Sequence, residues 1–237
     1  VTGAGQSGRP RTPQAKFSQI APRYDLWNAC LSLGLDHRWR KTAARALDLR
    51  PGARVLDIGT GTGALARAVA DVTPNDVRIS GCDCNAEMLR VAEQHLGGRY
   101  RDRIELHFAF AESLPFPESS FDAATIAFAI DDFVDREKGL AEIHRVLKPR
   151  RPLIVLELSL PTKPLLNGLY RLYLRAFPAI DRWIDAGGGY RHLREEIEGY
   201  RGREAVPQLF SSTGFRAMRS QPLTGGLVTL HVAHRRD

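Results

Sequence analysis

The stretch VLDIGTGTGAL, Val55–Leu65, reads as a buried strand running into a glycine turn and then into a helix. The glycines let the backbone come close to a ligand, and the helix that follows presents unpaired N–H groups to it. Such a unit holds a nucleotide-like molecule. Gly59, Gly61 and Ala64 satisfy the dinucleotide pattern G-x-G-x-x-G/A, whose helix N-terminus serves a pyrophosphate. Asp57 stands two residues before the first glycine, at the strand end. Its carboxylate is expected to face the occupant of the turn, with capping of the next helix as its plainer role.

That charge separates two ligands. A pyrophosphate brings about two negative charges, which a carboxylate a few ångströms away repels. A sulfonium and an α-ammonium, as in S-adenosylmethionine, are stabilised by the same carboxylate. The turn therefore favours a methyl donor over NAD. Asp83 ends the second strand, where a carboxylate accepts hydrogen bonds from the ribose hydroxyls of either ligand. In AESLPF, after the third strand, Ala111 sets a backbone N–H and a small side chain against an adenine edge.

Outward from this unit, after Pro51-Gly52, strand and helix patterns alternate: ARVLDI, GALARAVADV, VRISGCD, NAEMLRVAEQHL, RIELHFA, FDAATIAFA, REKGLAEIHRVL and RPLIVLEL. The alternation means crossover units on a mainly parallel sheet covered on both faces, a doubly wound α/β fold with its site beyond the C-terminal strand ends. Residues 1–14 are rich in Gly, Pro, Ser and Arg and read as a disordered tail. Residues 15–50 carry Phe17, Ile20, Tyr24, Trp27, Leu31, Leu35, Trp39, Ala43 and Leu47 at helical spacing and read as an N-terminal helical cap. Over residues 160–202 the rhythm breaks. There Leu165, Leu169, Leu172, Tyr173, Phe177, Ile180 and Ile184 form one helical stripe, interrupted at Pro178, which reads as a helical lid inserted over the site. A helix ending before Gly214, a strand, and the final strand in GGLVTLHVAHR complete the sheet, so that residues 15–237 form one domain.

With 34 Lys and Arg against 27 Asp and Glu, the formal charge is +7 and the pI about 9.7. This balance suits an acidic surface such as anionic lipid or nucleic acid, and equally an arginine-rich composition with no such partner. Cys30, Cys82 and Cys84 make no disulfide framework, and Cys82-Asp83-Cys84 lacks a second ligand pair, so no metal is expected and a reducing cytoplasm fits. No apolar run approaches the about 20 residues that a bilayer span needs, and VTGAGQSGRPRTPQ contains no apolar signal core. The expected location is cytoplasmic, with peripheral contact at the inner face of the cytoplasmic membrane as an option.

The order of these motifs resembles the class I methyltransferases, whose core is a seven-stranded sheet. The flanks resemble one branch of them, the C-methyltransferases of ubiquinone and menaquinone biosynthesis. FSQIAPRYDLWNACLSLGLDHRWRK (Phe17–Lys41) is very close to that family's N-terminal signature, and AESLPFPESSFDAATIAFAI, IHRVLKP, VLELSLPTKPLL, GYRHLREEI and GLVTLH follow in the family's order. The resemblance covers roughly residues 16 to 234. It implies S-adenosylmethionine as cofactor, held by Thr62 in the turn, Asp83 at the ribose, Phe110 and Ala111 at the adenine and Ala127 after the fourth strand. Tyr24, Asp57, Gly59, Thr60, Gly61, Gly63, Cys84 and Glu112 complete the expected pocket. The family usually has a polar residue at Phe110 and a serine at Ala127. It also carries F-G-L-R-N where this chain has FAIDD, so an Arg-Asn pair has become Asp131-Asp132. In GYRHL, Tyr190 matches an expected tyrosine and His192 replaces a second one.

The implied reaction moves a methyl group to a carbon of a prenylated quinol, such as demethylmenaquinol or a ubiquinone precursor. The acceptor carbon becomes nucleophilic when the neighbouring hydroxyl loses its proton, so a base near the ring is useful. Asp131, Asp132 and His192 are the candidates, with Tyr190 orienting the ring. Asp132 or Asp135 has the alternative role of capping the next helix. The lid stripe beside Arg171, Arg175 and Arg182 suits a prenyl tail or a lipid surface. Two other functions remain open, methylation of another small aromatic acceptor and a catalytically inactive cofactor-binding partner subunit, and a homodimer is an option for its assembly. Nucleic acid is not an expected partner, because no Asn/Asp-Pro-Pro-aromatic segment follows the fourth strand and no basic domain is appended.

Overall fold

The computed structural model describes residues 21–159, 161, 163–172, 175 and 202–237. Two helices, α1 (Tyr24–Leu31) and α2 (Asp36–Arg45), precede the sheet. Strand β1 (Arg54–Ile58) leads through the glycine turn to α3 (Ala64–Val72), then β2 (Arg78–Asp83), α4 (Ala86–His95), β3 (Ile104–Phe108), β4 (Ala123–Ala127), α5 (Arg136–Val146) and β5 (Pro152–Leu158). Residues 164–172 are helical (α6). The chain closes with α7 (Gly202–Ser212), β6 (Phe215–Leu223) and β7 (Val228–Arg235).

The seven strands lie in the order β3-β2-β1-β4-β5-β7-β6. Neighbours from β3 to β5 pair in parallel, whereas β7 is antiparallel to both β5 and β6. The reversal has a simple cause. Only the short turn Thr224–Gly226 and Leu227 separate β6 from β7, and a parallel pairing needs a crossover of a dozen or more residues.

Period two along the strands divides the core. Val55 faces a cluster with Trp39, Ala43, Leu65 and Val69 from α2 and α3. Leu56 and Ile58 face the opposite cluster with Leu140 and Ile143 of α5 and Phe210 of α7. The sheet is thus covered on both sides, and its strands are apolar runs for that reason. Trp39 anchors α2 at the far edge by donating its indole N–H to Thr224 Oγ1 at 2.8 Å.

The chain order reverses beside β1, which pairs with β2 on one side and β4 on the other. Loops leaving β1 and β4 part there and leave a crevice above the carboxyl ends of the strands. Of the expected lid, most residues, Tyr190 and His192 included, lie outside the described residues. The same holds for residues 1–14. Among the described residues, no helix is long and apolar enough to cross a membrane.

Candidate cofactor-binding site

The crevice is a cavity enclosing about 1050 Å³, its open mouth to solvent included. Its lining follows the sheet. Ala109 to Glu112 after β3 and Asp83 to Asn85 from the end of β2 form one end, Ile58 to Thr62 from the end of β1 the middle, and Ala127 to Ala129 from the end of β4 with Asp132 to Val134 the other end. Tyr24, Arg40 and Met88 complete the lining.

The turn is built by left-handed glycines. Gly59 has φ +64°, and a Cβ there would collide with the Cβ of Ala129, so this position tolerates no side chain. Gly61 has φ +55° with open space where a Cβ would stand, and its N–H donates to Asp83 Oδ2 at 2.8 Å. The other oxygen of Asp83 accepts from the N–H of Asn85, also at 2.8 Å. Asp83 therefore ties two loops together while still facing the cavity. Burial raises its carboxyl pKa, opposed by these N–H groups. Asn85 in turn caps α4, its side chain accepting from the N–H groups of Glu87 and Met88. Thr62 Oγ1 donates to Asp25 Oδ1 at 2.6 Å, and Asp25 Oδ2 lies 3.3 Å from His95 Nδ1. This chain of contacts holds α1 across the cavity wall.

Three of the expected site residues stand outside the cavity lining. Asp57 does not line the cavity. It is 1 % exposed, and its two oxygens accept the hydroxyls of Thr60 and Thr125, each at 2.7 Å. Its strand position explains this: Asp57 pairs in register with Thr125 on β4 and points, like Val55, to the face covered by α2 and α3. Burial pushes its carboxyl up to about 6, against the pull of Thr125, Thr60 and Arg40. Gly63 also stands off the cavity. It begins α3 at φ 80°, and Leu96 Cδ1 lies 2.6 Å from where its Cβ would be, so packing requires this glycine. Asp131, third, pairs with Arg136 at 3.0 Å and is absent from the lining, whereas its neighbour Asp132 is part of it. The cap of α5 is Asp135, which accepts from the Lys138 N–H at 3.0 Å.

The remaining expected residues within the described chain, Tyr24, Gly59, Thr60, Gly61, Thr62, Asp83, Cys84, Phe110, Ala111, Glu112 and Ala127, come together around this one cavity. Burial pushes the Tyr24 phenol up to about 12, so it stays a proton donor there. Phe110 stands edge-on to Phe108, their ring centres 6.1 Å apart. Glu112 accepts the Asp135 N–H at 3.0 Å and so joins the two ends of the cavity.

Sequence reasoning missed Arg40, Phe128 and Glu157. Phe128 adopts φ 58°, a left-handed conformation that costs a bulky residue on the order of 1 kcal/mol or more. It is held there by Trp39, edge-on at 6.5 Å, and by the Arg40 guanidinium 5.1 Å from the ring centre. Glu157, 4 % exposed at the end of β5, accepts the N–H groups of Ala129 and Ile130, each at 3.2 Å, and so shapes the FAIDD loop. Burial, with Asp131 and Asp132 nearby, pushes its carboxyl up to about 8. No local pattern marks it, because its partners are backbone groups of another strand's loop.

A pH prediction follows from Glu157. Its folded pKa of about 8 lies above the ordinary 4.5, so the folded chain keeps a proton that the unfolded chain has lost. This contribution to stability is complete below pH 4.5 and declines as pH rises towards 8. Glu157→Gln keeps an oxygen for both N–H groups without the charge. The variant melts at the wild-type temperature near pH 5 and above it at pH 8. Parallel melting curves from pH 5 to 8 would contradict the assignment.

The charges lining the described cavity are three carboxylates, Asp83, Glu112 and Asp132, and one guanidinium, Arg40. A pyrophosphate would meet this set at a cost, whereas an adenosine joined to a cationic amino-acid end fits it. The preference first read from Asp57 thus rests on other residues. A seven-stranded sheet with β7 reversed, its crevice at the β1/β4 switch point beside a glycine turn, is the class I methyltransferase fold. The solved structure of an Aquifex aeolicus SAM-dependent methyltransferase shares this fold, with TM-score 0.62 and 18% identity over 82% of this chain and 88% of that one.

The chain belongs to the ubiE/COQ5 methyltransferase family, whose sequence profile matches residues 8–235. It is 42% identical to the ubiquinone/menaquinone biosynthesis C-methyltransferase UbiE of Citrifermentans bemidjiense over 92% of this chain and 94% of that protein. It is 40% identical to the demethylmenaquinone methyltransferase of Thermus thermophilus over 92% and 99%.

Proposed function

We propose that this protein methylates a ring carbon of a prenylated quinol, demethylmenaquinol or a ubiquinone precursor, with S-adenosylmethionine as donor. The observation that carries this reading is the full-length similarity to relatives named for that reaction. S-adenosylmethionine supplies a sulfonium-bound methyl group for in-line displacement. The chain's own contribution is to position the two reactants and exclude water. Asp83 accepts the ribose hydroxyls, the backbone at Gly59 and Gly61 lies along the amino-acid part, and Phe110 and Ala111 flank the base. Asp132 takes the proton of the ring hydroxyl. Electron density then rises on the neighbouring ring carbon, which bonds the methyl group as its bond to sulfur breaks and S-adenosylhomocysteine leaves. That carbon's own proton passes to water, which restores the aromatic ring, and Asp132 returns its proton to the ring oxygen. The apolar wall of Phe128, Phe133 and Val134 accommodates the ring beside Asp132.

An acceptor with a long tail lives in lipid. Leu165, Leu169 and Leu172 of α6 are 78 %, 55 % and 63 % exposed and recur at helical spacing, which supports a peripheral contact with the bilayer. One experiment tests both parts. The protein is incubated with labelled S-adenosylmethionine and demethylmenaquinol held in anionic vesicles, and the quinone is analysed by mass. The label appears on the ring, and the protein sediments with the vesicles at low salt. Absence of labelled quinone overturns the substrate, and turnover by protein that stays in the supernatant overturns the contact.

A further inference from the structure

Arg40 is the cation among the described residues lining the cavity, and the reaction scheme above gives it no task. It is 8 % exposed. Its Nε lies 3.7 Å from Asp36 Oδ2, beyond hydrogen-bond reach, and has no hydrogen-bond partner. Its charge rests over the Phe128 ring. A buried guanidinium with an unmet donor is costly until an acceptor arrives. Asp36, Asp57 and the Phe128 ring attract this charge, but none of them meets the Nε donor, and a ligand with negative charge is the natural complement.

The sheet order says which part of a ligand lies there. With adenosine held between Asp83 and Ala111, at the β2 and β3 side, the rest of the donor extends past the glycine turn towards β4. The residue after β4 is Phe128, on which Arg40 stands. Of the donor's two charged amino-acid groups, the carboxylate is the one that a guanidinium binds, in a fork geometry that Lys cannot reproduce. The ammonium is left to the acidic side of the wall.

We propose that Arg40 binds the α-carboxylate at the methionine end of the methyl donor, and that this contact sets the cavity's preference for an intact amino-acid end. The inference rests on the methyl-transfer reading of the same site. Its test uses two adenosine ligands without acceptor: S-adenosylhomocysteine, which carries the carboxylate, and 5′-methylthioadenosine, which lacks the amino-acid end. Calorimetry on the wild type should give the stronger binding to the first. In Arg40→Met, affinity for S-adenosylhomocysteine falls about 30-fold, while affinity for methylthioadenosine stays within about twofold.

Arg40→Lys keeps the charge without the fork and loses about threefold to tenfold on the first ligand alone. That variant carries the test if Arg40→Met does not fold. An equal loss for both ligands assigns Arg40 to the architecture and overturns the proposal, as does no loss for either. Unchanged affinity for both with a raised KM for quinol also overturns it, by moving Arg40 to the acceptor. Failure of the wild type to bind either ligand would instead defeat the methyl-donor reading itself.

Discussion

Asp132→Asn lowers kcat by about 100-fold or more, the usual range for loss of a positioned base, while the affinity for S-adenosylhomocysteine stays within about threefold. Asp131→Asn leaves kcat within about threefold. The contrast between adjacent aspartates is the point. Asp131 is 3.0 Å from Arg136 at the surface, whereas Asp132 lines the cavity, as do Phe128 and Phe133. Single-turnover rates with saturating donor and quinol separate the two. Equal, small effects from both substitutions would remove Asp132 from the reaction. A large fall in donor affinity in Asp132→Asn, with kcat kept, would make it a binding residue instead.

Asp83→Ala weakens S-adenosylhomocysteine by about 100- to 1,000-fold, roughly 3–4 kcal/mol. Two effects combine. The carboxylate loses its own contact with the ribose, and the N–H groups of Gly61 and Asn85 lose an acceptor that held both loops in place. Hydrogen bonds to charged groups are worth about 1.5–3 kcal/mol each, so the loss is expected to exceed that of one ligand contact. Asp83→Asn keeps one oxygen and loses about tenfold. A change below about threefold in Asp83→Ala, measured by calorimetry, would show that the ligand does not use this end of the cavity.

The end of the cavity at Asp83 and Ala111 was legible in the chain because its residues are set by local rules. Asp83 ends β2 and Ala111 lies three residues beyond β3, and a residue at the carboxyl end of a parallel strand stands at the ligand end of the sheet whatever the rest of the chain does. The glycine turn was legible for the same reason, since positive φ at Gly59 is a local demand. The opposite end was less so. FAIDD looked like two equivalent aspartates, and only the 3₁₀ turn Ile130–Asp132, pinned from below by Glu157, separates one that meets the cavity from one that meets Arg136.

Asp57 marks the boundary between the two kinds of knowledge. Its place in the sequence, beside a glycine turn, and its negative charge are facts of the chain, and the alternation of strands and helices around it determined a doubly wound sheet with a site above β1. Its direction is a fact of packing. Because α2 and α3 cover the face to which Val55 and Asp57 point, and because Thr125 arrives opposite it from β4, the carboxylate is buried under the turn. Arg40 reaches the cavity by the same packing, carried there by a helix that precedes the sheet. Short-range patterns determine which elements form. Which side chains meet depends on contacts between residues far apart in the chain, and only the folded arrangement supplies those.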